Sequence, residues 1–204
     1  VDSVHRVGGK IIPQLWHMGG LRTEGTPPHP DAKSMRANGM SETEIESLLL
    51  RNLFAHGADG LAFAPIVAAG DNAAKPHAHA RADYHLKTGD PLLIDFGGTY
   101  QGYSADITRT FFVKEVSDYD RAFYETVLAA NAKGREISRP GITASAVDDA
   151  VLTVLEQSQF AQFSRHKTGH GLGLDVHEAP QIMRGNNQVP PLSGRMPRLA
   201  KPGL

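Results

Sequence analysis

Between Pro91 and Phe112 the chain reads PLLIDFGGTYQGYSADITRTFF, two runs rich in β-branched and aromatic residues around a glycine-bearing middle. Such runs, separated by turn residues, specify a β-hairpin with strands over residues 91–96 and 103–113. With Tyr100 and Gln101 as the central turn residues, Asp95 falls directly across from Asp106 on one face. Opposed residues lie about 4.5 to 5.5 Å apart at Cα. Two carboxylates at that spacing repel, weaken the sheet and raise one another's pKa unless a cation lies between them. Spacing alone leaves two readings open: a divalent ion held by the pair, or a bulge that shifts the register and leaves both acids in water.

A second stretch, HKTGHGLGLDVHEAP over 166–180, places His166, His170 and His177 among Gly169, Gly171 and Gly173. Glycines on either side let the backbone bring His170 close to an ion, and imidazole suits manganese, cobalt, zinc or iron. The chain has no cysteine, so disulfides and thiolate chemistry are excluded and any metal must sit on carboxylates and imidazoles. A lone histidine is more often structural; three in one short stretch, together with a two-acid hairpin, favour a metal site. His77, in KPHAHA over 75–80, follows a proline and precedes the hairpin, while His79 and His85 read as solvated loop residues.

The rest of the chain supplies a frame for these stretches. Ser41 and Glu44 have capping-box spacing, and Ile45, Leu48, Leu49 and Leu53 then make one apolar face, so a helix begins near Ser41 and stops near Gly57. Residues 61–67 read as a buried strand. From Ser117 the apolar positions Phe123, Val127, Leu128 and Ala130 follow a helical rhythm that ends at Arg139, Pro140 and Gly141. A further helix fits 145–157, with Val147, Val151, Leu152, Val154 and Leu155 inward. Hairpin strands followed by helices argue for an α+β layout. A net charge of -1 offers neither a basic field for phosphates nor a polyanionic face, so nucleic-acid and membrane partners get little support. The longest apolar run, 61–69, is interrupted by Pro65 and falls far below the roughly 18 residues of a membrane span. The first ten residues lack the layout of a secretory signal, which makes the cytoplasm the expected location.

The segments PIVAAGDNAAKPHA, IDFGGTYQGYSADITRTF, RPGI and HKTGHGLGLDVHEAP, in this order and spacing, resemble the pita-bread metallopeptidases, in particular the Xaa-Pro aminopeptidase and prolidase branch. The resemblance covers about residues 40–187. It implies an α+β half-barrel of antiparallel strands flanked by helices, with two divalent metals, manganese or cobalt first and zinc an alternative. It also implies that Asp95 holds one metal through both oxygens, that Asp106 bridges the two, and that His170 is the imidazole ligand. His77 and His177 resemble the family histidines that contact substrate. The implied reaction is hydrolysis of the bond between an N-terminal residue and proline. Its partner is a peptide with proline in second place, and a homodimer is the expected assembly.

The pattern departs at two places. After GNN at 185–187 the family would run into strands carrying two glutamate ligands, whereas this chain reads QVPPLSGRMPRLAKPGL and has no acid after Glu178. Three of five ligands leave too few carboxylates to balance two dications and remove the usual proton acceptor. The expectation is a half-barrel domain over 40–188 that lacks its C-terminal strands, followed by an aberrant Pro- and Arg-rich tail over 189–204. Residues 1–39 form a separate segment or linker: VDSVHRVGGKIIPQLWHMGGLR resembles one strand and loop of old-yellow-enzyme-type flavin oxidoreductases, with Gln14 in the place of a flavin contact. A barrel of that type needs roughly 250 residues, so this piece implies no flavin site.

Three functions follow. The first is a metal-dependent aminopeptidase of the Xaa-Pro type, inactive if the missing glutamates are not replaced. The second is a creatinase-like hydrolase of a non-peptide C–N bond. The third, from another class, is a non-catalytic peptide-binding module on the same fold.

Overall fold

The computed structural model describes residues 37–164 and 166–190, and the chain divides into two compact units after Val116. The flavin-enzyme-like segment and the C-terminal tail, apart from residues 37–39 and 189–190, lie outside the described residues.

The first unit opens with helix α1, Glu42–Ala55. Its start is the one that the capping box dictates: the Ser41 hydroxyl accepts from the Glu44 N–H at 3.2 Å, and Glu44 reaches back to accept from the Ser41 N–H at 2.7 Å. The expected strand over 61–67 is instead two short strands, β1 (Gly60–Leu61) and β2 (Ile66–Ala69), which belong to different sheets. Pro65 separates them, because a residue without an N–H cannot continue a ladder. Leu61, on the wrong side of that break to be buried, is 39% exposed, while Val67 has no exposed surface.

The hairpin forms β3 (Pro91–Phe96), β4 (Gly98–Tyr100), β5 (Tyr103–Ser104) and β6 (Ile107–Phe112). One antiparallel sheet runs in the order β2-β3-β6 and another in the order β1-β4-β5. Ile45 of α1 packs with Val67, Ala69, Leu86, Leu92, Ile94 and Val113 to make the core of this unit. Full burial of a side chain such as Ile45 or Val67 contributes about 1.5 to 3 kcal/mol.

The turn sits one residue later than the sequence suggested. Tyr100 pairs with Tyr103, so the central residues are Gln101 and Gly102, both at positive φ (50° and 80°). A two-residue hairpin turn of this kind needs positive φ at both centres, and glycine adopts it without steric cost. The pairing therefore shifts: Asp95 lies across from Thr108, not Asp106. Where the strands cross at Gly97, a Cβ would sit 1.7 Å from the Ala105 carbonyl oxygen, so only glycine fits.

The second unit begins with α2 (Asp118–Ile137), capped by Ser117, and α3 (Ala144–Glu156), capped by Thr143. Gly134 of α2 lets the helices approach, since a Cβ there would come within 2.8 Å of Val151 Cγ2. Phe160 is buried where Tyr119 and Phe123 meet it edge-on, at centroid separations of 5.3 and 5.1 Å. The apolar face expected for α2 is only partly covered: Ala130 is buried, while Phe123 is 37% and Val127 47% exposed. After α3, strands β7 (Gly169–Gly171) and β8 (Glu178–Ile182) pair antiparallel. No helix among the described residues is long and apolar enough to cross a membrane.

Gly97→Ala should be the most damaging single methyl addition in the hairpin, because its clash is with backbone. A loss of about 3 kcal/mol or more is expected. Urea unfolding followed by circular dichroism would register it as a lower midpoint with an unchanged slope.

Candidate functional site

The candidate residues fall in both units. In the first, Asp95 occupies the central strand of the β2-β3-β6 sheet, between Ile66 on one side and Thr108 on the other. The Thr108 hydroxyl donates to Asp95 Oδ1 at 2.7 Å. In the observed register Asp106 falls across from Gly97, which makes it diagonal to Asp95 instead of opposed. Diagonal neighbours lie about 7 to 8 Å apart, so the mutual repulsion that a cation would have to relieve is weaker than for an opposed pair. Among the described residues, no group of three or more His, Asp or Glu side chains is gathered closely enough to hold a metal ion. Of the donors that the resemblance implies, Asp95 and Asp106 lie in the first unit and His170 in the second.

His77 is exposed and stands at φ 53°, a left-handed conformation uncommon outside glycine. His79 and His85 are exposed, as expected of loop residues, although His85 also forms a β-bridge with Ser41.

In the second unit, His170 lies on β7 opposite Gln181, and its ring meets that of His177 edge-on with centroids 4.4 Å apart. His170 Nδ1 is 2.9 Å from the Gly171 carbonyl oxygen. A carbonyl only accepts, so Nδ1 carries the proton and Nε2 of the neutral ring bears the lone pair suited to a metal or a donor. His177 is exposed on the loop before β8, and His166 is exposed apart from the pair. Glu178, the last acid of the chain, accepts from the Asp175 N–H at 2.9 Å and lies against Gly173, where any Cβ would collide with its carboxylate. Its carboxylate therefore closes the loop that carries His177.

The fold uses two acids that the sequence reading passed over. Asp148 of α3 is 2% exposed and accepts the Thr168 N–H at 2.7 Å and the Arg184 N–H at 2.8 Å. It so fixes the chain two residues before His170 and two residues after β8. The signal was present, because Asp148 lies beside Val147 and three residues before Val151 on the buried side of the helix. Arg184 in turn donates to Asp149 and to Glu156, whose hydrogen bond and charge hold the Glu156 carboxyl below its ordinary range. The second acid is Glu42, the first residue of α1, which has no exposed surface. Burial pushes its pKa up, but hydrogen bonds from the Arg81 side chain, the Ala69 N–H and the Arg81 N–H, with the Arg81 charge, more than offset this and lower it.

The sequence model of metallopeptidase family M24 matches residues 29–203. The chain belongs to that family. It is 35% identical over 151 residues to an Xaa-Pro dipeptidase of Pyrococcus horikoshii, covering 74% of this chain and 43% of that protein. It is 38% identical over 152 residues to a probable dipeptidase PepE of Mycobacterium tuberculosis, covering 74% and 40% respectively. Among solved structures, an X-Pro aminopeptidase from Thermotoga maritima superposes with a TM-score of 0.73 at 38% identity, over 77% of this chain and 44% of that one. A prolidase from Pyrococcus furiosus gives 0.72 at 33% identity, over 75% and 45%. The α+β pita-bread class is therefore shown, and the M24 chain spans less than half the length of these relatives.

Two outcomes test this geometry. Asp148→Ala should cost about 1 to 3 kcal/mol per orphaned N–H, and Asp148→Asn less, because the amide keeps one acceptor oxygen; thermal unfolding of the two variants gives the order. Glu42, with its lowered pKa, contributes stability that is present above the ordinary glutamate value of 4.5 and is lost as pH falls through its folded value. Urea midpoints from pH 7 to pH 3 should fall below pH 4.5, and less steeply in Glu42→Gln.

Proposed function

We propose that this M24 chain carries the substrate-handling and part of the metal-binding machinery of a peptidase acting on the bond between an N-terminal residue and proline. What carries this reading is the family membership together with the presence, in order, of His77, Asp95, Asp106, His170 and His177 at the positions where the motifs resemble the Xaa-Pro branch. Asp95, Asp106 and His170 are the residues proposed to hold divalent metal, manganese or cobalt. The described donors fall short of a complete ion site, so the chemistry assigned to this chain rests on its own side chains.

His77 and His177 are both exposed. As a nucleophile adds to the scissile carbonyl, negative charge grows on its oxygen, and an imidazole N–H aimed there stabilises the transition state more than the ground state. The leaving proline amine must be protonated as it departs, because an amide anion is a poor leaving group, and the resemblance assigns the handling of that proton to a family glutamate. A second reading is a non-catalytic peptide-binding module on the same fold. A creatinase-like C–N hydrolase has no comparable support.

Elemental analysis of the desalted chain after incubation with manganese or cobalt, followed by assay on an Xaa-Pro dipeptide, separates the readings. The peptidase reading expects retained metal and turnover, with His177→Ala lowering kcat by about 100-fold and leaving metal content unchanged. Asp95→Asn should lower metal content itself. Saturable peptide binding without turnover, unaffected by chelator, would establish the binding module instead, and turnover of creatine would establish the third reading.

A further inference from the structure

Glu42 lies far in sequence from the motifs, yet its carboxylate gathers the segment that presents His77. Oε1 accepts the Ala69 N–H at 2.7 Å and Arg81 Nη2 at 2.9 Å. Oε2 accepts the Arg81 N–H at 2.7 Å, Arg81 Nε at 3.1 Å and Asn72 Nδ2 at 3.0 Å. Both ends of the segment from Ala69 to Arg81 are therefore fixed to one side chain. Its middle is fixed as well, since Asn72 Nδ2 also donates to the His79 carbonyl at 3.0 Å. Arg81 is held in turn by Asp71 at 3.0 Å, by the Ala69 carbonyl at 2.9 Å and by stacking over the Tyr84 ring at 4.2 Å. Tyr84 donates to Asp90 at 2.8 Å, and burial together with that bond raises its pKa to about 12, so it remains a donor at any working pH.

Within this frame His77 projects to solvent from a left-handed backbone. For a residue with a Cβ that conformation is strained and persists where the surroundings over-determine it. A surface loop needs no such restraint merely to connect two strands. A loop whose imidazole at His77 must meet a substrate oxygen within a few tenths of an ångström does. A fully buried ionised carboxylate, costly unless every lone pair is matched, is the element that over-determines the loop.

We propose that Glu42, acting through Arg81 and Asn72, is a positioning residue that holds the 69–81 loop so that His77 is presented to the peptide substrate. This rests on the reading of His77 as a substrate-contacting residue. Glu42 itself touches neither substrate nor metal.

The test uses the full chain and two variants. Glu42→Gln keeps the shape but turns one oxygen into a donor facing donors. Asn72→Ala cuts the Asn72 bonds to Glu42 Oε2 and to the His79 carbonyl and leaves the Glu42–Arg81 pair intact, so it serves if Glu42→Gln fails to fold. Hydrogen exchange is read by mass spectrometry on peptides spanning 69–81, α1 and the β3–β6 hairpin, and hydrolysis of an Xaa-Pro dipeptide is measured alongside. Exchange in 69–81 is expected to rise about tenfold or more, with α1 and the hairpin unchanged. The variant should lower kcat about tenfold with KM within about threefold, and add nothing when combined with His77→Ala, because both changes remove one function. Unchanged exchange in the loop, or losses that multiply in the double variant, would overturn the proposal. A wild-type chain without turnover would overturn the peptidase reading, and the exchange data would then decide the anchoring separately.

Discussion

A carboxylate with no exposed surface imposes more order on its neighbours than any apolar contact does, and the first unit of this M24 chain is arranged around one. Glu42 must have its lone pairs matched by donors, and the donors it finds come from Ala69, Asn72 and Arg81. These lie at the end of β2, in the turn after it and at the far end of the loop. One side chain at the start of α1 thereby sets where the strand ends, how the loop folds and where His77 stands. The second unit repeats the device with Asp148, whose two oxygens secure the chain before β7 and after β8. In each unit a buried acid on a helix secures a segment that carries a histidine of the proposed chemistry.

The hairpin illustrates how a small error in a turn propagates. A turn one residue later than the sequence suggested changes the sum of paired positions by two and moves Asp106 away from its place opposite Asp95. The face is preserved, because side chains alternate with a period of two, but the electrostatic argument changes. A directly opposed pair would demand a cation to be tolerable; a diagonal pair, with Thr108 donating to Asp95, does not. The proposal that these acids bind metal therefore draws on the family motifs and not on hairpin electrostatics.

Much of the fold was legible in local signals. The capping box at Ser41 and Glu44, the apolar rhythms of α2 and α3 and the strand pair at 91–112 are short-range patterns, and each formed within a residue or two of its expected bounds. The run 61–69 misled because its apolar character persists across Pro65, and only the missing N–H told the two strands apart. Phe123 and Val127 misled differently: helical periodicity reports which residues share a face, not whether anything covers it.

The sequence by itself determined the chemistry available to this protein, since residue types and their order in the motifs carry the family and no cysteine offers another route. Tertiary structure decided which acids are committed to holding the chain. Glu42 reads as an ordinary first-turn glutamate, and the apolar neighbours of Asp148 mark only its burial, because the convergence of distant N–H groups is a property of chain packing. Nothing within four residues of either position encodes partners 20 to 39 residues away.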